Sequence, residues 1–491
     1  MGSSALDVSE LVKADDALAR IPRARKIALL IVICIAEFLD TFSNSALFSA
    51  IPPICQMLNI SNSNSVWLQS GYQLTFASLL LMSGRISDLY NPKWVFVVGG
   101  ASLGLFSLGA GFVRSELPLL VLRALMGVGA ALTVPSALHM IVHMFPNPGS
   151  QSKAVGLFST MAALGNVFGL IIGALFVSFA SWPWVFYFIA ILGISESILV
   201  VLLCHSIKRP RASTLDRLKR FQRLDVIGVG SVTVSLILFI FAVTSGSIAG
   251  WGSGQVVASL VLSVFLIVFF TFYEGRLSED VAAIPPKTWK YTNIGVTTAT
   301  ALLPFMWWGV VQSLFSWYWQ EVYGWSAIIT AVHFLPLGLI GVPATVIATM
   351  MQQRMSLKWV MVVGNSLAII GSLLLPFAKQ RQHYWTLVLP GFIIGSGGIA
   401  MTYVTANAAI FAATPPEAAG VVAAIFNSAL QLGCAAGIAI ATSIQASVEA
   451  GDGGPSGYKG TAAAFWFLLA ATAALSLALP PNPNPNPNPK P

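Results

Sequence analysis

Fourteen apolar stretches follow one another along the chain, near 27–50, 66–86, 93–113, 117–142, 153–178, 184–205, 226–248, 255–273, 292–315, 325–348, 358–378, 384–410, 418–445 and 461–480. A helix needs about 20 apolar residues to cross roughly 30 Å of hydrocarbon, so each stretch predicts one membrane span. Only 9% of the 491 residues are charged and mean hydropathy is +0.79, whereas a soluble domain carries about 25% charge. Such a chain cannot cover a water-facing surface. The expected fold class is an all-α integral membrane protein with about 14 transmembrane helices.

The basic residues orient the spans. With both termini on the cytoplasmic side, 21 of the 26 Lys and Arg fall in cytoplasmic segments, and Arg114, Lys379, Arg381 and Lys459 fall outside. That asymmetry follows the positive-inside rule and accounts for the net charge of +8 without a nucleic-acid partner. Seven of the basic residues lie in "KRPRASTLDRLKRFQR" (208–223), read as a topology anchor, with a segment lying on anionic lipid as the alternative. Asn59-Ile60-Ser61 is a glycosylation sequon close to the membrane. The Pro/Asn tail 481–491 is expected to be disordered. No loop is long enough for a soluble catalytic domain. No G-x-x-x-x-G-K-[ST] pattern occurs, so the chain is read as neither an ATP-driven pump nor an enzyme. Cofactors and metals are not expected. The four cysteines, Cys34, Cys55, Cys204 and Cys434, have no paired spacing and read as small buried hydrophobes.

Carboxylates inside apolar runs stand out against this background. Glu37 lies about ten residues into the first stretch, roughly 15 Å along the helix; Asp40 and Asn44 follow at i+3 and i+7 on the same face. A polar stripe of this kind is expensive against lipid and is expected to face the bundle interior, where transporter sites lie. Asp40, with Glu37, is the expected site for a proton or for a cationic group on a substrate, with a structural polar contact as the alternative. Arg123 sits inside the fourth stretch and needs a partner or a cavity, or else snorkels to the outer interface. Further interior candidates are Glu196, His333, Gln312, and Asn427 with Gln431 at i+4. Trp307, Trp308, Trp317, Tyr318 and Trp319 flank Gln312 and read as an interfacial belt, or alternatively as the lining of a cavity.

Three motifs resemble those of the major facilitator superfamily. "GRISDLYNPK" (84–93) resembles its G-x-x-x-D-x-x-G-R-K loop at Gly84, Asp88 and Lys93, with Asn91 and Pro92 standing where glycine and arginine are usual. Gly84 is expected to permit a close helix approach. The fourth stretch resembles R-x-x-x-G-x-G at Arg123, Gly127 and Gly129. The fifth resembles the antiporter motif G-x-x-x-G-P-x-x-G-G at Gly165, Gly169 and Gly173, with Leu170 and Ala174 in place of Pro and Gly. Glycines four apart let two backbones approach closely. Together with fourteen spans, these motifs resemble the fungal-type fourteen-helix drug/proton antiporter branch.

That resemblance implies a cytoplasmic N-terminal tail (1–26), a six-helix bundle (27–205), a basic connector (206–225), two linking helices (226–273), a cytoplasmic loop (274–291) and a second six-helix bundle (292–480). It also implies a secondary active transporter exporting a small amphipathic or cationic compound against re-entering protons by alternating access. The partners are then a small-molecule substrate, protons and the bilayer. The protein is expected to be a monomer in the plasma membrane, with a vacuolar membrane as the alternative. Because some members of this wide group resemble ammonium permeases or boron exporters, a uniporter or symporter of a small solute is the rival reading. A non-transporting receptor-like protein is a further one.

Overall fold

The computed structural model describes residues 22–204, 225–277, 284, 288–289, 291, 293–414, 419–451 and 457–477. The far N-terminal tail, the basic connector and the Pro/Asn tail lie outside the described residues. Every regular element among those residues is helical. In chain order the helices are α1 (Arg23–Leu58), α2 (Asn62–Leu89), α3 (Pro92–Phe112), α4 (Glu116–Met144), α5 (Pro148–Phe179), α6 (Pro183–Leu203), α7 (Val226–Ala249) and α8 (Gly254–Glu274). They continue as α9 (Ile294–Trp317), α10 (Ala327–Leu339), α11 (Gly341–Gln352), α12 (Leu357–Leu374), α13 (Leu389–Ala412), α14 (Ala419–Gly451) and α15 (Lys459–Leu477).

Thirteen helices are long and apolar enough to cross a membrane, α10 and α11 counting as the single span Ala327–Gln352. With α2 they make the fourteen expected elements. The 28-residue α2 is long enough to cross but too polar to join the thirteen. It buries Gln69, Ser70, Gln73, Ser78, Ser83 and Ser87.

Local chemistry explains several helix ends. α1 runs through Pro52 and Pro53 and stops at Asn59, which adopts a left-handed φ of 52° while its N–H bonds the Cys55 carbonyl. Asn takes that conformation more readily than most residues. At the start of α3 the Asn91 side chain accepts from the Lys93 N–H, and Pro92 occupies the first turn, where a missing N–H costs nothing. The two departures from the loop motif therefore build a helix start. α10 and α11 part at Ile340 because Pro343 has no N–H to offer the Leu339 carbonyl.

The chain divides into two compact units. The first takes the described residues within Met1–Asn59, Leu74–Ile237 and Ser263–Ala283; the second takes those within Ile60–Gln73, Leu238–Leu262 and Ile284–Pro491. Within the first unit α1 packs on α5, α3 on α4, and α3 on α6. Within the second α9 packs on α14, α12 on α13, and α12 on α15. Both units use the same pairing order of first with fifth, third with fourth and third with sixth helix. Glycine makes the approaches close. A Cβ at Gly129 would lie 2.8 Å from the Gly99 carbonyl, and one at Gly371 would meet the Gly395 backbone and lie 2.7 Å from the Gly391 carbonyl.

Candidate functional site

α1 positions the acidic face in the first unit. The adjoining side is committed to α5: Gly165 abuts Phe38 and Thr41, a Cβ at Gly169 would lie 2.8 Å from Ser45 Cβ, and one at Gly173 would lie 2.7 Å from the Ala46 backbone. The glycine stripe thus seats α5 on α1 and fixes how α1 is rotated. Asp40 is buried at 4% exposure, and Asn44 beside it donates its Nδ2 hydrogen to the Asp40 carbonyl at 3.1 Å. Glu37 is half-buried, and its Oε2 has no hydrogen-bond partner.

Arg123 of α4 is fully buried and donates from Nη1 to Ser43 Oγ at 2.9 Å. It does not snorkel. Ser43 lies one helical turn from Asp40, so an arginine is brought to the acidic face of α1. Gly129, two turns further on, backs onto Gly99 and Leu103 of α3; Gly127 is also buried.

Other expected residues fall elsewhere. Glu196 is fully buried on α6, with both carboxyl oxygens lacking a hydrogen-bond partner, and its Oε1 faces Gly100 of α3. No contact places it with Asp40. His333 sits in an aromatic cluster, 4.3 Å from the Trp325 ring and 4.2 Å from the Tyr384 ring, while Tyr384 Oη donates to the His333 carbonyl at 2.9 Å. Among the described residues no hydrogen bond joins it to Asn427 or Gln431. Lys93 is buried; its Nζ donates to the Val201 carbonyl at 3.5 Å and the Cys204 carbonyl at 2.9 Å. It closes the end of α6. Among the described residues no atom stands within 4 Å of where a Cβ would lie at Gly84, so the expected close approach is not found among them. The Asp88 side chain lies outside the described residues. Asn59 is exposed.

In the second unit, Gln312 of α9 and Gln431 of α14 are buried, and Asn427 is half-buried one turn before Gln431. The two helices meet where a Cβ at Gly309 would lie 2.8 Å from Cys434 Sγ. Gln73 of α2 joins them, donating to Cys434 Sγ at 3.6 Å. Gln69 and Gln73 were not among the residues the sequence singled out, although two glutamines at i and i+4 in the most polar helix were a usable signal.

The aromatic belt is corrected. Trp307, Tyr318 and Trp319 are buried, and burial is affordable because Trp307 Nε1 finds Ser372 Oγ at 2.7 Å. Trp308 is half-buried, with Nε1 donating to Ser396 Oγ at 2.8 Å. All four cysteines are buried.

Two units with the same helix pairing, an arginine beside a buried acid, and thirteen strongly apolar helices are the frame for comparison with known proteins. The profile of the Major Facilitator Superfamily matches residues 33–438. The chain belongs to the Major Facilitator Superfamily. The puromycin resistance protein pur8 of Streptomyces alboniger is 30% identical over 442 residues, covering 89% of this chain and 86% of that protein. The efflux pump terJ of Aspergillus terreus is 26% identical over 459 residues, covering 91% and 86%. A crystal structure of a POT family transporter superposes with a TM-score of 0.64 at 18% identity, covering 91% of this chain and 94% of that one, a likeness of fold. This superfamily member is therefore a multi-pass membrane transporter and not an enzyme.

Proposed function

We propose that the protein is a proton-coupled exporter of a small amphipathic or cationic compound, working by alternating access, with Asp40 and Glu37 exchanging the proton. The observation that carries this reading is the burial of Asp40 one turn from the serine that Arg123 grips. Burial opposes a negative charge and a nearby guanidinium supports it. A carboxyl held between those two demands can change protonation as its access to water changes. The superfamily's resistance and efflux members in Streptomyces and Aspergillus support the outward direction.

In this reading Arg123 steadies the ionised acid and Asn44 orients α1 around it. Glu37, one turn earlier, shares the proton or meets a cationic group on the substrate. The glycine stripe of α5 keeps α1 from rotating. Glu196, buried on the α3 side of α6, is a further protonatable group. In this reading both termini are cytoplasmic, which the excess of Lys and Arg in the segments on that side supports.

Proteoliposomes with an imposed pH gradient test the proposal. Ethidium should accumulate uphill, and a protonophore should collapse the accumulation. Asp40→Asn should remove gradient-driven uptake while the protein still elutes as a single folded species. Undiminished uphill transport by that variant would sink the proton-site assignment. Flux indifferent to the gradient would instead identify a uniporter.

A further inference from the structure

The second unit contains a set of polar side chains that proton exchange does not use. Gln73 and Gln431 are 3% and 6% exposed, and the Oε1 of each has no hydrogen-bond partner. They come from different helices. Gln73 reaches α14 through Cys434, and Gln431 lies one turn before Cys434 on that helix. Gln312 is buried on α9 one turn beyond Gly309, the residue that packs on the same cysteine. An unsatisfied buried acceptor is costly. Two in one place call for a donor.

The surroundings restrict what that donor can be. No Asp, Glu, Lys or Arg occurs in α9, in α13, or in α14 before Glu449. A cation drawn in here would leave water without meeting a counter-charge, which is strongly unfavourable. An uncharged N–H or O–H group pays no such penalty. Phe305, Trp308 and Gln312 fall at i, i+3 and i+7 along one face of α9. The half-buried rings of Phe305, Trp308 and Tyr403 are 6.1–6.4 Å apart. Trp308 is held by Ser396, whose hydroxyl in turn donates to the Leu337 carbonyl at 2.7 Å. The aromatic wall is therefore set before any ligand arrives.

We infer that the amides of Gln73 and Gln431, with the rings of Phe305, Trp308 and Tyr403, form a binding site for uncharged aromatic compounds bearing hydroxyl or amide donors. This rests on the transporter reading and adds, among its amphipathic substrates, an uncharged class recognised apart from the cations. The carbonyl oxygens accept from the ligand's donors and the rings pack on its flat face. Recognition of the uncharged ligand thereby belongs to the second unit, while protons are handled in the first.

Titration calorimetry of the purified full chain with naringenin and resveratrol, both uncharged phenols, tests this, with ethidium as the cationic comparison. The wild-type protein should bind both phenols, and Gln73→Leu and Gln431→Leu should each weaken them about fivefold to tenfold, the loss of one neutral hydrogen bond. Gln431→Glu, which keeps the shape and adds a charge, should lose the phenols and gain ethidium; it carries the test should the leucine variants not fold. Affinities unchanged in all three variants would show that water satisfies the oxygens and would overturn the inference. So would a wild-type protein that binds neither phenol, or ethidium binding that is lost in Gln431→Leu. Binding is read without a pH gradient. A chain that binds phenols through these amides but moves nothing in proteoliposomes therefore removes the coupled-export reading alone, and one that exports with unaltered phenol affinity in the variants removes only this site.

Discussion

α1 in the first unit and α9 in the second occupy the same place in the same pairing order. Each leans on the fifth helix of its unit through glycine, Gly165, Gly169 and Gly173 for α1, and Gly309, Gly433 and Gly437 for the contact between α9 and α14. Each is linked to its unit's fourth helix by side-chain hydrogen bonding: Arg123 to Ser43 in the first, where Lys26 also donates to the Met144 carbonyl, and Trp308 to Ser396 in the second. The chemistry differs at matching spacing. α1 carries Glu37, Asp40 and Asn44 at i, i+3 and i+7; α9 carries Phe305, Trp308 and Gln312. One packing plan holds acids in one unit and rings with amides in the other. What the helix is for is written on the face that glycine leaves uncovered.

That contrast can be broken most decisively by exchanging functions across it. Asp40→Asn should lower gradient-driven flux at least a hundredfold, whereas Gln312→Leu should shift apparent substrate affinity and leave the dependence on the gradient intact. Loss of gradient dependence in Gln312→Leu, measured in the same proteoliposomes, would erase the division of labour. Next in size is the seating of the two helices. Gly169→Ala pushes a methyl against the Phe42 carbonyl, 2.9 Å away, and Ser45 Cβ, whereas Gly309→Ala meets the side chains of Cys434 and Ile438. Backbone yields less than side chain, so the first should cost about 2–3 kcal/mol and the second about 1 kcal/mol. Thermal melts followed by size exclusion would rank them, and equal losses would mean that α5 can shift away from α1.

The links to the fourth helices give effects of comparable size. Arg123→Ala removes a hydrogen bond from a charged donor, worth about 1.5–3 kcal/mol, and Trp308→Phe a neutral one of about 0.5–1.5 kcal/mol; denaturation of the two variants compares them directly. The smallest effect is at the end of α6. Cys204 is buried at the end of α6, and its carbonyl is held by Lys93. Maleimide labelling of Cys204 should therefore be negligible in the folded protein and rise only on denaturation. Rapid labelling at pH 7 would show that this end is open.

The helices were legible because a membrane demands long apolar runs, and Pro52 and Pro53 did not interrupt α1 as they would a helix in water. The glycine stripe on α5 was legible as a surface for close approach, yet its partner was not, since nothing in 156–176 names Phe38 or Ser45. Arg123 announced that it needed something polar; only the fold supplies Ser43. Gly84 misled because a motif glycine can serve a shape not found among the described residues. The tryptophans around Gln312 resembled an interfacial belt since their position along α9 was visible and their neighbours Ser372 and Ser396 were not. Gln69 and Gln73 were overlooked although their i, i+4 spacing could be read, because their role shows only when Cys434 of a distant segment lies against Gln73.

Lys93 has a mechanical consequence. By holding the carbonyls of Val201 and Cys204 from the first turn of α3, it pins the last turn of α6 beside the start of α3, next to the two-residue turn 90–91. The seam between the two helices is thus clamped at one end, with Glu196 farther along it against Gly100.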